Sequence, residues 1–156
     1  MSRQLLIFRH AKSGWDAESD HQRTLTDTGV QQAKFMGDLL QEKQIQPDLV
    51  ICSSATRAVS TMELAMEAGQ WHCDSTVTDA LYDTNTDAVI ELLKQLGEDQ
   101  VVMLVGHEPT WSDLASSLTG KSVSFATAGI CSIKLQIDNW QQIKPSDGSL
   151  EWYEHP

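Results

Sequence analysis

The sequence predicts an α/β layered domain, and three observations carry that prediction. Short apolar runs alternate with stretches of helical periodicity along the chain. One run, Val101-Val102-Met103-Leu104-Val105, is apolar throughout and rich in β-branched residues, as suits a central strand covered on both faces. No internal repeat, low-complexity stretch or Pro/Gly-rich linker interrupts the 156 residues. They read as one domain, 1–156, long enough to bury a real core.

The elements follow in order. Gln4 to Phe8 is a short apolar strand ending at Arg9, and a polar loop with Gly14 and several acids runs from there to Thr26. From Asp27 to about Lys43 the apolar positions Val30, Ala33, Met36 and Leu40 recur at helical spacing, with Asp27 favourable in the first turn. Pro47 breaks the chain before a second strand, Leu49 to Cys52. Ser53 or Ser54 is placed to cap a second helix, whose face is Ala58, Met62, Ala65 and Gly69. A third helix is predicted from about Asp87 to Leu96. After the strand at 101–105 comes Gly106-His107-Glu108-Pro109, with Pro109 suited to be the first residue of a helix reaching about Leu118. Alternation from Ile130 to Ile137 predicts a strand with which Ser149 to Tyr153 can pair.

Composition narrows the function classes. Hydrophobic residues at 40% and charged residues at 21% exclude wholesale disorder. A formal charge of −11 repels nucleic-acid phosphates and anionic lipids, so neither nucleic acid nor a membrane is an expected partner. Any phosphate site is then a local exception built from a few of the 11 Lys and Arg residues. Cys52, Cys73 and Cys131 are odd in number and widely spaced, which suggests neither a disulfide framework nor a zinc site. The five histidines, His10, His21, His72, His107 and His155, show no i, i+4 pairing or Cys/His cluster, so no metal site is expected. The first apolar run is too short for a signal segment or a membrane span. The expectation is a soluble protein of a reducing compartment, the cytoplasm.

Three predicted strands end in residues that carry chemistry. The first delivers Arg9 and His10, the second is followed closely by Arg57, and the third delivers His107. Ligands of open α/β sheets bind at the carboxyl ends of strands. Two arginines and two histidines gathered there would form a dense anion pocket in an acidic protein. Phosphoryl transfer suits that set. Planar guanidinium forks match phosphoryl oxygens, and a neutral imidazole is a good nucleophile near pH 7. The helix starting at Pro109 would add backbone N–H groups. A cysteine phosphatase is the nearest decoy. Only four residues separate Cys52 from Arg57, with no glycine among them, and Cys52 ends an apolar strand where a buried thiol is the default.

Four motifs follow one another in order: Arg9-His10-Ala11-Lys12-Ser13, Arg23-x-Leu25-Thr26-x-x-Gly29, Cys52-Ser53-Ser54-Ala55-x-Arg57-Ala58-x-x-Thr61 and Val105-Gly106-His107-x-Pro109. Together they resemble the histidine phosphatase superfamily, the phosphoglycerate-mutase-like fold, and more closely its small SixA-like phosphohistidine phosphatase branch. The match covers about residues 4 to 130. The resemblance implies a three-layer sandwich with a mostly parallel central sheet flanked by helices, and a two-step, metal-independent mechanism without a cofactor. It makes His10 the nucleophile that becomes phosphohistidine. Arg9, Arg57 and His107 would hold the phosphoryl oxygens, His107 as the imidazolium. Lys12 and Arg23 lie in matching motifs as substrate-binding or packing residues, and Trp15 is placed either to flank the substrate or to pack.

Two departures stand out. The superfamily usually reads Arg-His-Gly, where this chain has Ala11. Many relatives place a glutamate general acid after a leucine some two dozen residues beyond the second arginine. Here that stretch reads Leu81-Tyr82-Asp83, which makes Asp83 the nearest proton donor, with helix capping as its other reading. Glu108 is a further carboxylate beside His107. Phosphohistidine leaves as imidazole and has less need of a protein acid than an ester does. The weak acid therefore tilts the expected substrate toward phosphohistidine on a protein partner. A phosphatase or mutase of small phosphate esters on the same fold is the alternative, and a non-catalytic phosphate-recognition module the third reading.

Overall fold

Along the first strand, β1 (Arg3–Arg9), Leu5 and Ile7 turn to one face while Leu6 and Phe8 turn to the other, and all four are buried. Successive side chains of a strand point to opposite sides, so a strand apolar at every position needs cover on both. The computed structural model, which describes residues 2–156, supplies that cover. Helices α1 (Asp27–Glu42) and α2 (Thr56–Gly69) pack over Leu6, Phe8, Met103 and Val105. Helices α3 (Thr86–Lys94) and α4 (Thr110–Thr119) pack over Leu5, Ile7, Val102 and Leu104.

The sheet between these layers has six strands. Besides β1 they are β2 (Leu49–Ser53), β3 (Asp74–Thr78), β4 (Val101–Gly106), β5 (Ile130–Leu135) and β6 (Gly148–Glu154), in the order β3-β2-β4-β1-β5-β6. The first four in that order run parallel, and β5 pairs antiparallel with both β1 and β6. The expected three-layer sandwich with a mostly parallel sheet is the fold observed. Because β1 and β4 are direct neighbours, with Arg9 opposite Gly106, both strands release their histidines side by side. The backbone N–H of His10 still donates to the carbonyl of Gly106, at 2.9 Å.

Close helix contact explains two glycines. A Cβ at Gly37 of α1 would lie 2.3 Å from the Ala65 carbonyl of α2. One at Gly29 would lie 2.0 Å from the Lys12 carbonyl, so α1 can approach the loop after His10 only with glycine there. Thr26 caps that helix, accepting from Gly29 N at 3.0 Å.

Several boundaries differ from the sequence reading. Strand β3, Asp-Ser-Thr-Val-Thr, has no apolar run to announce it; it is an exposed edge strand held by parallel pairing with β2. Neither Ser53 nor Ser54 caps α2: Ala55 stands at the cap without a side-chain bond. Both hydroxyls are engaged elsewhere, Ser53 with His107 and Ser54 with Asp79 and His21. Helix α3 starts at Thr86, capped by Asn85 rather than Asp83. Helix α4 starts at Thr110, one residue later than expected.

Candidate active site

His10 is 8% exposed and anchored at one ring nitrogen. Its Nδ1 lies 2.8 Å from the Ala11 carbonyl. A carbonyl only accepts, so Nδ1 carries the proton and Nε2 holds the free lone pair. Arg57 Nε donates toward that Nε2 from 3.4 Å. Burial drives the His10 pKa down to about 3, opposed by the Ala11 bond and assisted by His107, Arg57 and Arg9. The ring is therefore neutral at pH 7, as a nucleophile must be.

The backbone around it is held by one buried side chain. Thr61 Oγ1 accepts from Ala11 N at 2.9 Å and donates to the Arg57 carbonyl at 2.7 Å. It thus ties the exit of β1 to the first turn of α2. Ala11 itself is fully buried against the α1–α2 layer and has no left-handed φ. Its methyl replaces the family's usual glycine without backbone strain.

His107 faces His10 with ring centroids 5.2 Å apart. Its Nε2 lies 2.7 Å from Ser53 Oγ, while Nδ1 is buried without a hydrogen-bond partner among the described residues. Burial first, then the positive charge of Arg57, lowers its pKa to about 4, with Asp20 pulling the other way. With no phosphoryl group beside it, His107 is held toward the neutral imidazole, because desolvation beside two arginines disfavours a third positive charge.

Arg9 donates from Nη1 to the Phe125 carbonyl at 2.7 Å, and its buried Nε has no partner among the described residues. Arg57 is 6% exposed and doubly held by Asp20: Nη1 donates to the Asp20 carbonyl at 2.7 Å and Nη2 to Asp20 Oδ2 at 3.1 Å. Asp20 Oδ2 also accepts from Tyr82 OH at 2.7 Å, and Oδ1 from Arg23 Nη1 at 3.1 Å. The Tyr82 hydroxyl, then the two arginines, hold its carboxyl well below the usual carboxylate range. Asp20 is a fixed anion and no proton donor.

The remaining expected residues are placed further out. Arg23 does not touch His10. It braces the loop through Gly14 O and Ser13 Oγ and lies over the Trp15 ring, 3.5 Å from its centroid. Trp15 is 81% exposed, so it does not pack in the core. The Lys12 side chain is exposed, and its backbone serves Gln32 and Thr26. Asp83 is exposed, at φ 53° in the turn after Tyr82, outside the hydrogen-bonded cluster.

Glu108 turns away from the acid role. Its Oε1 accepts from Ser112 N at 2.7 Å and its Oε2 from Ser112 Oγ, which closes the first turn of α4. With Trp111 N bound to the His107 carbonyl, these amides are not the phosphate donors the sequence suggested. Cys52 is a buried thiol with its pKa pushed up to about 12 by desolvation, the inert structural cysteine expected.

Sequence reasoning missed Asp20, Tyr82 and His21. His21 is half-buried, bonded to Ser54 Oγ at 3.0 Å and edge-on to Tyr82. The spacing Asp20-x-x-Arg23 was the one available signal for the acid. Among the described residues no helix is long and apolar enough to cross a membrane.

The chain is similar to several known proteins. A protein named as phosphohistidine phosphatase SixA, from Agrobacterium tumefaciens, superposes with a TM-score of 0.86 at 26% identity, covering 99% of this chain and 98% of that one. A protein histidine phosphatase SixA complexed with tungstate gives a TM-score of 0.86 at 24% identity, covering 97% and 96%. An uncharacterised protein of Mycobacterium tuberculosis is 32% identical over 162 residues, 95% of this chain and 99% of its own length. A 2,3-bisphosphoglycerate-dependent phosphoglycerate mutase of Erythrobacter litoralis is 39% identical over 67 residues, 40% of this chain and 29% of the mutase. These likenesses support a phosphatase. The sequence model of the histidine phosphatase superfamily (branch 1) matches residues 5–87, and the chain belongs to that superfamily.

Proposed function

We propose that this protein is a metal-independent phosphatase that carries the phosphoryl group on His10 Nε2 and acts on phosphohistidine borne by a protein partner. One observation carries the reading. The His10 ring is held in the Nδ1–H form with Nε2 unprotonated, and the buried Arg57 Nε stands 3.4 Å from that nitrogen. A nucleophile and a guanidinium for the incoming oxygens thus share one point.

In the first step His10 Nε2 attacks phosphorus, the phosphorus–nitrogen bond to the partner's imidazole breaks, and that imidazole takes up a proton from solvent. In the second, water attacks phosphorus, the bond to Nε2 breaks, and inorganic phosphate leaves with His10 restored. Arg9 and Arg57 offset the phosphoryl charge throughout. His107 gains a proton more readily once a phosphoryl dianion lies beside it, since an opposite charge favours the imidazolium.

The carboxylates support this substrate class. Asp20 is ionised in its cage and Glu108 closes a helix turn, so neither offers a proton to an alkoxide. A leaving imidazole requires little help. Asp83, exposed in the turn after Tyr82, is the donor we assign to any slow ester turnover. The SixA proteins sharing the fold, one with the tetrahedral oxyanion tungstate, support the same reading.

The test offers purified protein a phosphohistidine peptide and a panel of phosphate esters, with a chelator present. The expected results are faster turnover of the peptide, a phosphorylated His10 trapped by rapid quench, and a loss of about 1,000-fold or more in His10→Ala. Asp83→Asn should slow esters while leaving the peptide within about twofold. Turnover that persists in His10→Ala would exclude the covalent mechanism, and a strong preference for esters would favour the small-ester alternative.

A further inference from the structure

We infer that Asp20 is a positioning residue for phosphoryl transfer, gripping both terminal nitrogens of Arg57 so that its Nε stays turned toward His10. The inference rests on the reading of His10 as the phosphoryl carrier.

The grip is built from both parts of the residue. The Asp20 backbone carbonyl takes Nη1 at 2.7 Å, and its carboxylate takes Nη2 at 3.1 Å. Two contacts from one residue define the plane of the guanidinium, and the third nitrogen, Nε, is then the one presented to His10 Nε2. Asp20 is itself held from two sides. Tyr82 donates to Oδ2, and Arg23 donates to Oδ1 while its other nitrogens are tied to Gly14 O and Ser13 Oγ. One carboxylate therefore joins the loop after β1, the first turn of α2 and the turn before α3. A long arginine side chain has many rotamers, and a bound phosphoryl group gains most from an arginine already in place.

A carboxylate on a phosphate-binding arginine admits an opposite role, that of an anion competing with substrate. The geometry separates the two. Asp20 occupies the terminal nitrogens, whereas Nε faces the nucleophile, and half of the grip comes from a carbonyl that no side-chain movement would release.

Steady-state and rapid-quench kinetics on the phosphohistidine peptide test the assignment in wild type, Asp20→Ala, Asp20→Asn and Tyr82→Phe. Positioning predicts that Asp20→Ala lowers kcat by about 10- to 100-fold with KM within about threefold, and slows phosphorylation of His10. Asp20→Asn keeps an oxygen for Nη2 and should recover most of that loss, while Tyr82→Phe should cost about three- to tenfold. A lower KM with undiminished kcat in Asp20→Ala would show competition and overturn the assignment. So would unchanged kinetics, a change in KM alone, or a lower melting temperature with normal kcat per folded molecule. If Asp20→Ala does not fold, Asp20→Asn and Tyr82→Phe decide by the same split. A wild type that forms no phosphohistidine at His10 defeats the functional reading. A wild type that forms it, beside Asp20 variants that match it, defeats this inference alone.

Discussion

Thr61 shows how much of the site depends on a residue that never faces substrate. Its hydroxyl accepts from Ala11 N and donates to the Arg57 carbonyl, fully buried between the nucleophile's neighbour and the arginine's own backbone. In Thr61→Val the shape is kept but Ala11 N becomes a buried donor without an acceptor. The expected loss is about 1–3 kcal/mol of unfolding free energy in urea, with a fall in kcat, while Thr61→Ser stays close to wild type. At this scale Arg9, His10, Arg57 and His107 were legible, since Arg9 ends β1, His10 and His107 directly follow β1 and β4, and Arg57 stands in the first turn of the helix after β2. Asp20 and Tyr82 were not. Asp20 bonds to partners 37 and 62 residues away, and in one dimension it is one acid among several in a polar loop.

Element packing decides which strand ends meet. The adjacency of β1 and β4 sets Arg9 opposite Gly106, and that of β2 and β4 sets Cys52 opposite Val105, which brings Ser53 to His107. The α1–α2 pair meets in backbone contact at Gly37 and Ala65. Gly37→Ala places a methyl 2.3 Å from the Ala65 carbonyl, where no flexible side chain can yield. The expected cost is about 1–3 kcal/mol in a urea titration. Gly97→Ala, whose methyl meets nothing within 4 Å, is the control and should stay within about 0.5 kcal/mol. Apolar periodicity announced five of the six strands. Strand β3 was hidden because an exposed edge strand needs only a neighbour's backbone, not a hydrophobic face of its own. The misplaced caps have a similar cause, since Ser53 and Ser54 had tertiary partners to serve.

The whole molecule responds to pH through two buried neutral histidines. His10 and His107 sit near 3 and 4 against an ordinary 6.5, so between about pH 6.5 and 4 the unfolded chain binds protons that the folded one does not. Stability is therefore complete above about pH 6.5 and falls as pH is lowered, by up to about 1.4 kcal/mol per pH unit for each histidine. The depressed Asp20 acts in the same direction, but only below its ordinary 3.8. The melting temperature should thus drop between pH 7 and pH 5, and the double variant His10→Gln/His107→Gln should give a flatter profile. An equal slope in both proteins would place the titrating groups elsewhere.

By itself the sequence determined the layered α/β fold, the strand ends that carry Arg9, His10, Arg57 and His107, and the family. These follow from local signals: apolar runs, helical spacing and short motifs readable within a few residues. Only the tertiary structure decided the protonation of those groups and their company. Burial makes both histidines neutral, a carbonyl one residue on selects the free nitrogen of His10, and Asp20 reaches across the fold to hold Arg57. Desolvation and long-range hydrogen bonding depend on what surrounds a side chain in space, and the order of residues along the chain does not encode that surrounding directly.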